Sequence, residues 1–152
     1  RDRLIDFQPD DYIICDWKNF VKDAKEKPVA YVVRYGFQLA AYRKAIKALK
    51  GIEINHGIVC CTNNKRLYMY YLDSYLLDYY EDYFMEFLNY YYNKNKLKEI
   101  YPFDMVLLED FGVNLKNPYK LQKGNKAPRR ITLKYKKIDD NDIPLKEKLL
   151  IK

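Results

Sequence analysis

Residues 12–20, YIICDWKNF, constrain the fold more than any other stretch, because an apolar run leads directly into Asp16, Trp17 and Lys18. Such a run reads as a β-strand, and strand side chains alternate between two faces. Asp16 and Lys18 therefore project together from one face of a strand that otherwise looks buried. Taken alone, D-x-K is a weak signal. In a chain that is 32% charged it arises by chance, and it then reads as a surface ion pair at a strand end.

The surrounding pattern places this strand in an α/β chain. RLIDF, residues 3–7, reads as a preceding strand, joined to YIICDW by the turn residues QPDD in an antiparallel hairpin. Residues 20–34 read as a charged connection ending in a short apolar run. GFQLAAYRKAIKAL, residues 36–49, predicts a helix with Leu39, Tyr42, Ile46 and Leu49 as its apolar positions and Gly51 closing it. IEINHGIVCCT and RLYMYYL, on either side of NNK, predict a second strand pair. Asp73 or Ser74 then caps a long helix, whose polar stripe is Asp78, Asp82, Glu86, Asn89 and Asn93 and whose aromatic faces belong to the core. The expected fold is a mixed sheet of four or five strands flanked by helices, with one strand-like piece, RITLKYKKI, near the end.

Composition closes off several classes of function. At 152 residues, 49% hydrophobic and 16% aromatic, the chain is long enough for one domain with a true core. Cys15, Cys60 and Cys61 form neither CxxC nor a Cys/His quartet, and read as small hydrophobes in a reducing, intracellular compartment. The lone Ser74 sits at a helix cap and the lone His56 within a strand, which leaves no Ser-His-Asp hydrolase. The five glycines are scattered singly, so there is no phosphate-binding glycine loop. No run approaches the roughly 18 apolar residues of a membrane span, and no membrane partner is expected. The sequence opens at Arg1 inside a strand, so any targeting segment is expected upstream.

Charge is concentrated at one end. Residues 111–152 hold 12 Lys and Arg against 4 Asp and Glu, a net of +8, whereas residues 1–110 hold 16 against 17. The expected division is a core over 1–110 and a basic extension over 111–152. Rich in Pro, Gly and clustered charge, the extension is too poor in apolar residues to fold alone, and a nucleic-acid backbone, a protein neighbour or a groove on its own domain would order it. Lys126, Arg129, Arg130, Lys134, Lys136 and Lys137 are its candidate phosphate contacts.

Phosphodiester hydrolysis gives Asp16 and Lys18 a task. It needs a divalent cation to polarise the phosphate and a positive group to hold the attacking water. Mg²⁺ or Mn²⁺ takes hard oxygen ligands. Asp16 offers a carboxylate and Trp17 its backbone carbonyl, with Asp2 or Asp6 as a second carboxylate from the neighbouring strand. Twenty residues after Lys18, Gln38 and Tyr42 stand at i and i+4 on one helix face.

An acid on one strand, a turn, an apolar strand ending in D-x-K and a helix bearing Q-x-x-x-Y together resemble the PD-(D/E)xK nucleases of the RecB type. IICDWKNF followed by FQLAAY is most similar to the branch holding the mitochondrial genome maintenance exonuclease and related phage exonucleases, over residues 2–92. The resemblance implies a restriction-endonuclease-like fold, Asp2 and Asp16 as metal ligands, and Lys18 as the catalytic lysine. It implies Gln38 and Tyr42 as the pair that buttresses the site and contacts the nucleic-acid backbone. Arg34, one turn before Gln38 if the helix starts early, is a further candidate phosphate contact. It also implies a single-strand or end-dependent DNA exonuclease, with RNA the lesser expectation, and a mitochondrial or other organellar setting ahead of a viral or cytoplasmic one. The helical region that precedes this core in the family is expected upstream of Arg1. The alternative reading is a non-catalytic nuclease-like subunit of a large RNA–protein assembly, such as an organellar ribosome, anchored among protein partners by its basic tail.

Overall fold

The computed structural model describes residues 5, 7–20, 27–63, 66–92, 109–122 and 124–132. Four strands form one mixed sheet in the order β1 (Ile13–Asn19), β2 (His56–Thr62), β3 (Leu67–Leu72) and β4 (Arg129–Ile131). β1 and β2 run parallel, with Asp16 opposite Val59 and Lys18 opposite Cys61; the other two pairings are antiparallel. Helix α1 (Val29–Lys50) makes the crossover between the parallel strands, and α2 (Ser74–Tyr92) follows β3.

Both helices lie on the same face of the sheet. A methyl group placed on Gly57 of β2 would touch Leu39 of α1 and Leu77 of α2 together. Beneath them lies a core of Ile14, Phe20, Val32, Val33, Leu39, Val59, Tyr70, Leu72 and Leu77. On β1 the covered face carries Ile14, Asp16, Lys18 and Phe20, while Ile13, Cys15, Trp17 and Asn19 are exposed on the other. The charged pair thus points into the helix-covered side, and the only tryptophan, 61% exposed, points away from it.

Helix α1 starts seven residues earlier than expected. Its β-branched opening, VAYVV, looks strand-like, but Val32, Val33, Gly36, Leu39, Ala40 and Arg43 form one buried stripe at helical spacing. Pro28 precedes its first residue, and the Val29 N–H donates to the Pro118 carbonyl at 2.7 Å, a partner 89 positions away. Of the apolar positions expected here, Leu39 is buried and Ile46 packs against the core. Tyr42 and Leu49 are exposed, because the stripe facing the sheet is rotated toward Val32 and Arg43. At the other end Gly51 adopts φ 68°, the left-handed cap that glycine makes without steric cost, and its N–H closes on the Lys47 carbonyl.

Other boundaries shift as well. β2 begins at His56, so Ile52–Asn55 lie outside the strand and His56 stands at its start. The turn at QPDD forms, with Asp11 accepting from the Gln8 N–H at 2.7 Å and the Asp11 N–H donating back to the Gln8 carbonyl. Of the strand expected over 3–7, Ile5 and Phe7 are not in a strand, and the remainder lies outside the described residues. Phe7 instead packs edge-on against His56 and Tyr71. Asp73 caps α2, its carboxylate accepting from the Leu76 N–H at 2.8 Å.

The described part of the segment after residue 110, residues 111–122 and 124–132, contributes to the core. Phe111 is fully buried among Phe37, Tyr79, Tyr80 and Tyr83, with ring centroids 4.7–5.2 Å apart. Val113, Ala127 and Pro128 are also buried, and β4 adds an edge to β3. The Tyr80 hydroxyl donates to the Lys126 carbonyl at 2.7 Å, tying α2 to this segment. Among the described residues no helix is long and apolar enough to cross a membrane.

Gly36 of α1 faces Tyr80 of α2 so closely that a Cβ there would overlap its ring. That ring cannot withdraw, being fully buried, stacked on Phe37 and held by Lys126. Gly36→Ala gains about 1 kcal/mol of helix propensity, while overpacking costs about 1–3 kcal/mol. A net loss of stability is expected, read as a lower urea midpoint; a midpoint at or above the wild-type value would show that the helices separate freely.

Candidate active site

The site is assembled by β1 and α1. Strand alternation brings Asp16 and Lys18 to the same face, where the Lys18 Nζ lies 3.1 Å from Asp16 Oδ2. α1 crosses above them and presents Gln38, whose Oε1 accepts from Lys18 Nζ at 2.8 Å. Gln38 Nε2 in turn donates to the Tyr42 hydroxyl at 2.7 Å, across one helical turn. Only this orientation of the amide satisfies both neighbours, since Lys18 offers donors alone. The Tyr42 hydroxyl accepts in this chain, so its own proton remains for an outside acceptor. Below the ammonium, the ring of Tyr35 lies 5.1 Å from Nζ. Burial raises the Tyr35 phenol above its ordinary range, so it stays neutral beneath the cation.

Asp16 is the more enclosed partner, its side chain 15% exposed against 26% for Lys18. Its Oδ2 meets Lys18 as a charge contact without hydrogen-bond geometry, and has no hydrogen-bond partner among the described residues. That oxygen is fully enclosed with the Lys18 ammonium against it, so a metal ion would reach it only if Lys18 moved aside. The Phe20 N–H donates to the Thr62 carbonyl at 2.9 Å. In a parallel ladder, alternate residues turn their backbone groups toward the same neighbour. Lys18 and Phe20 therefore bond toward β2, and Trp17 turns its carbonyl to the opposite edge of β1. Asp16 Oδ2 and the Trp17 carbonyl are hard oxygen donors that fit Mg²⁺ or Mn²⁺.

The remaining expected residues fall into three groups. Asp2 and its rival Asp6, together with Lys134, Lys136 and Lys137, lie outside the described residues. Arg34 is on α1, four residues before Gln38 on the same helix face, with its guanidinium 5.8 Å from the Tyr31 ring. Lys126, Arg129 and Arg130 do not reach the site: they belong to the β4 edge, three strands from β1. Lys126 is held there by the Tyr75 hydroxyl at 2.9 Å and by the faces of Tyr75 and Tyr79. Their basic sequence suggested a phosphate anchor, whereas the pairing of β4 with β3 carries them to the far side of the sheet.

Rival chemistries find no support nearby. Cys61, opposite Lys18 on β2, is fully buried, and burial pushes its thiol up to about 11. His56 has both ring nitrogens occupied, by Tyr71 at 2.7 Å and Asp11 at 3.0 Å. Among the described residues no group of three or more His, Cys, Asp or Glu could hold a metal ion unaided. Tyr35 is the site residue that sequence reasoning missed; its position three before Gln38 on the same helix was the available signal. Comparison with protein-family models, with curated proteins and with solved structures yields no match.

Burial separates the three thiols, with Cys15 exposed and Cys60 and Cys61 enclosed. Iodoacetamide at neutral pH is expected to label Cys15 alone in the native protein and all three after denaturation. Native labelling of Cys61 would contradict the packing of β2 beneath α1.

Proposed function

We propose that the protein is a metal-dependent nuclease of the PD-(D/E)xK type, hydrolysing phosphodiester bonds in nucleic acid. The observation carrying this reading is the connected chain Asp16–Lys18–Gln38–Tyr42, in which two segments distant in sequence meet at one partly exposed point. A surface ion pair at a strand end needs no such partners. Here the acid and the lysine point toward the helix layer, and α1 supplies an amide and a phenol to orient them.

In this reading the Asp16 carboxylate and the Trp17 carbonyl would hold a divalent cation, with Asp2, outside the described residues, as the expected further ligand. Such a cation, when bound, would supply polarisation of the scissile phosphate and acidification of a water. Lys18, steered by Gln38 and resting on Tyr35, positions the attacking water and offsets negative charge as it develops. The Tyr42 hydroxyl donates its free proton to a phosphate oxygen, and Arg34 supplies a charge-assisted contact further along the strand. Single-stranded or end-bearing DNA is the proposed substrate. The second reading is a tail-anchored, non-catalytic subunit of an RNA–protein assembly; the packing of Phe111, Val113 and Ala127 into the core and the pairing of β4 with β3 favour the first.

Lys18→Ala tests the assignment. Cleavage of a single-stranded oligonucleotide in Mg²⁺ should fall by about 10²–10³-fold, in line with loss of one preorganised charge. Binding measured in EDTA should stay close to wild type. Equal loss of cleavage and binding would make Lys18 a scaffold residue. Tyr42→Phe keeps the ring and removes the phosphate donor, so weaker substrate binding with the fold unchanged is expected. Unaltered binding would remove Tyr42 from the contact set.

A further inference from the structure

The Lys18 ammonium stands against an oxygen to which it does not hydrogen-bond. Its Nζ lies 3.1 Å from Asp16 Oδ2, yet that oxygen is fully enclosed and has no hydrogen-bond partner among the described residues. The ammonium donates instead to Gln38 Oε1, at 2.8 Å, and rests over the ring of Tyr35. Its contact with Asp16 is one of charge alone.

These contacts come from different elements. Asp16 belongs to β1, as Lys18 does, whereas Gln38 and Tyr35 belong to α1, three residues apart on one helix face. An enclosed carboxylate needs a positive neighbour, and Lys18 is the cation that meets Asp16 here. A divalent cation at Oδ2 would face that ammonium at close range, where like charges in a partly enclosed site repel strongly. The four-carbon stem of lysine lets the head swing while the backbone stays fixed. Gln38 and Tyr35 then hold the ammonium on the helix side as Asp16 is given up.

We propose that Lys18 is a built-in competitor for the metal position: its ammonium is the counter-cation of Asp16, and a divalent cation binds only as Lys18 withdraws onto Gln38 and Tyr35. This role presupposes the nuclease reading and adds to it a control on metal loading. Divalent affinity is set by displacement of a resident charge as well as by the ligands themselves. Gln38 acts as a positioning residue, giving the displaced ammonium a partner. Changes that loosen the hold of Lys18 on Asp16 therefore tighten metal binding, and changes that strengthen it weaken metal binding.

Binding of Mn²⁺ alone to the whole protein, followed by the electron paramagnetic resonance signal of free Mn²⁺, tests this without nucleic acid or turnover. Lys18→Met keeps an unbranched stem and removes the charge, so Mn²⁺ should bind at least about tenfold tighter than in wild type. Gln38→Leu should act in the opposite direction. Without the amide, the ammonium is free to complete its hydrogen bond to Asp16, and Mn²⁺ should bind several-fold more weakly. Lys27→Gln controls for charge at a distance, since Lys27 rests on the Phe20 and Tyr31 rings and forms no ion pair with Asp16. Little change is expected there, while Asp16→Asn should abolish binding at the site. If the wild type cleaves and Asp16→Asn binds no Mn²⁺, but Lys18→Met binds it no tighter than wild type, the competitor role is overturned and the nuclease reading stands. Equal tightening by Lys27→Gln also overturns the role, because long-range charge then explains the effect. Should Lys18→Met fail to fold, as judged by its thermal melt, Gln38→Leu decides: Mn²⁺ affinity at or above the wild-type value overturns the proposal. If Asp16→Asn binds Mn²⁺ like wild type and the wild type does not cleave, both readings fall together.

Discussion

The close approach of α1 to α2 at Gly36 governs the rest of the architecture. With no side chain at that position, the ring of Tyr80 lies directly against the α1 backbone, and Phe37, the next residue, stacks on it. Tyr80 is fixed from the other side by Phe111 and by the Lys126 carbonyl. The contact sets where α1 lies along the sheet, and Gln38 is two residues beyond it. A shift of α1 by a single turn, about 5.4 Å, would carry Gln38 out of reach of Lys18. The site geometry is thus held by packing that makes no contact with the site itself.

That arrangement also makes a costly placement tolerable. Charged side chains on the covered face of a strand are costly unless their polar atoms are matched. Lys18 is matched three ways, by Asp16, by Gln38 and by the face of Tyr35. Asp16 is matched only in charge, by Lys18, and its enclosed Oδ2 has no hydrogen-bond partner among the described residues. Elsewhere the same fold satisfies its enclosed charge in full: Arg43 bonds to the Ile54 carbonyl and to Asp78, and also reaches Glu81, which locks α1 to α2. Arg43 is thus matched by hydrogen bonds from two elements, and Asp16 by the charge of Lys18 alone.

Much of the candidate site was legible in the sequence because its signals are local. Strand alternation alone places Asp16 and Lys18 together, and helical spacing alone places Gln38 beside Tyr42. The meeting of the two pairs is not local, and neither periodicity contains it. The N-terminus of α1 was misread for a related reason. VAYVV carries β-branched residues that favour strands locally, yet its backbone start is held by Pro118, far along the chain. The described part of the basic segment after residue 110 was the least legible. Its few apolar residues, Phe111, Val113, Ala127 and Pro128, are too sparse to form a periodic pattern, but each fills a space that the rest of the chain leaves.

By itself the sequence determined the α/β class, the strand ending in D-x-K, the helix bearing Gln38 and Tyr42, and the aromatic helix that closes the core. These follow from side-chain spacing within a single element, which short-range geometry controls. Only the tertiary structure decided that Lys18 would meet Gln38, that Tyr42 and Tyr31 would face outward, and that Lys126, Arg129 and Arg130 would lie at the opposite edge of the sheet. Those outcomes depend on how elements pack and on which edge of the sheet β4 joins. Such contacts are fixed by shape and burial between distant residues, which no local pattern encodes.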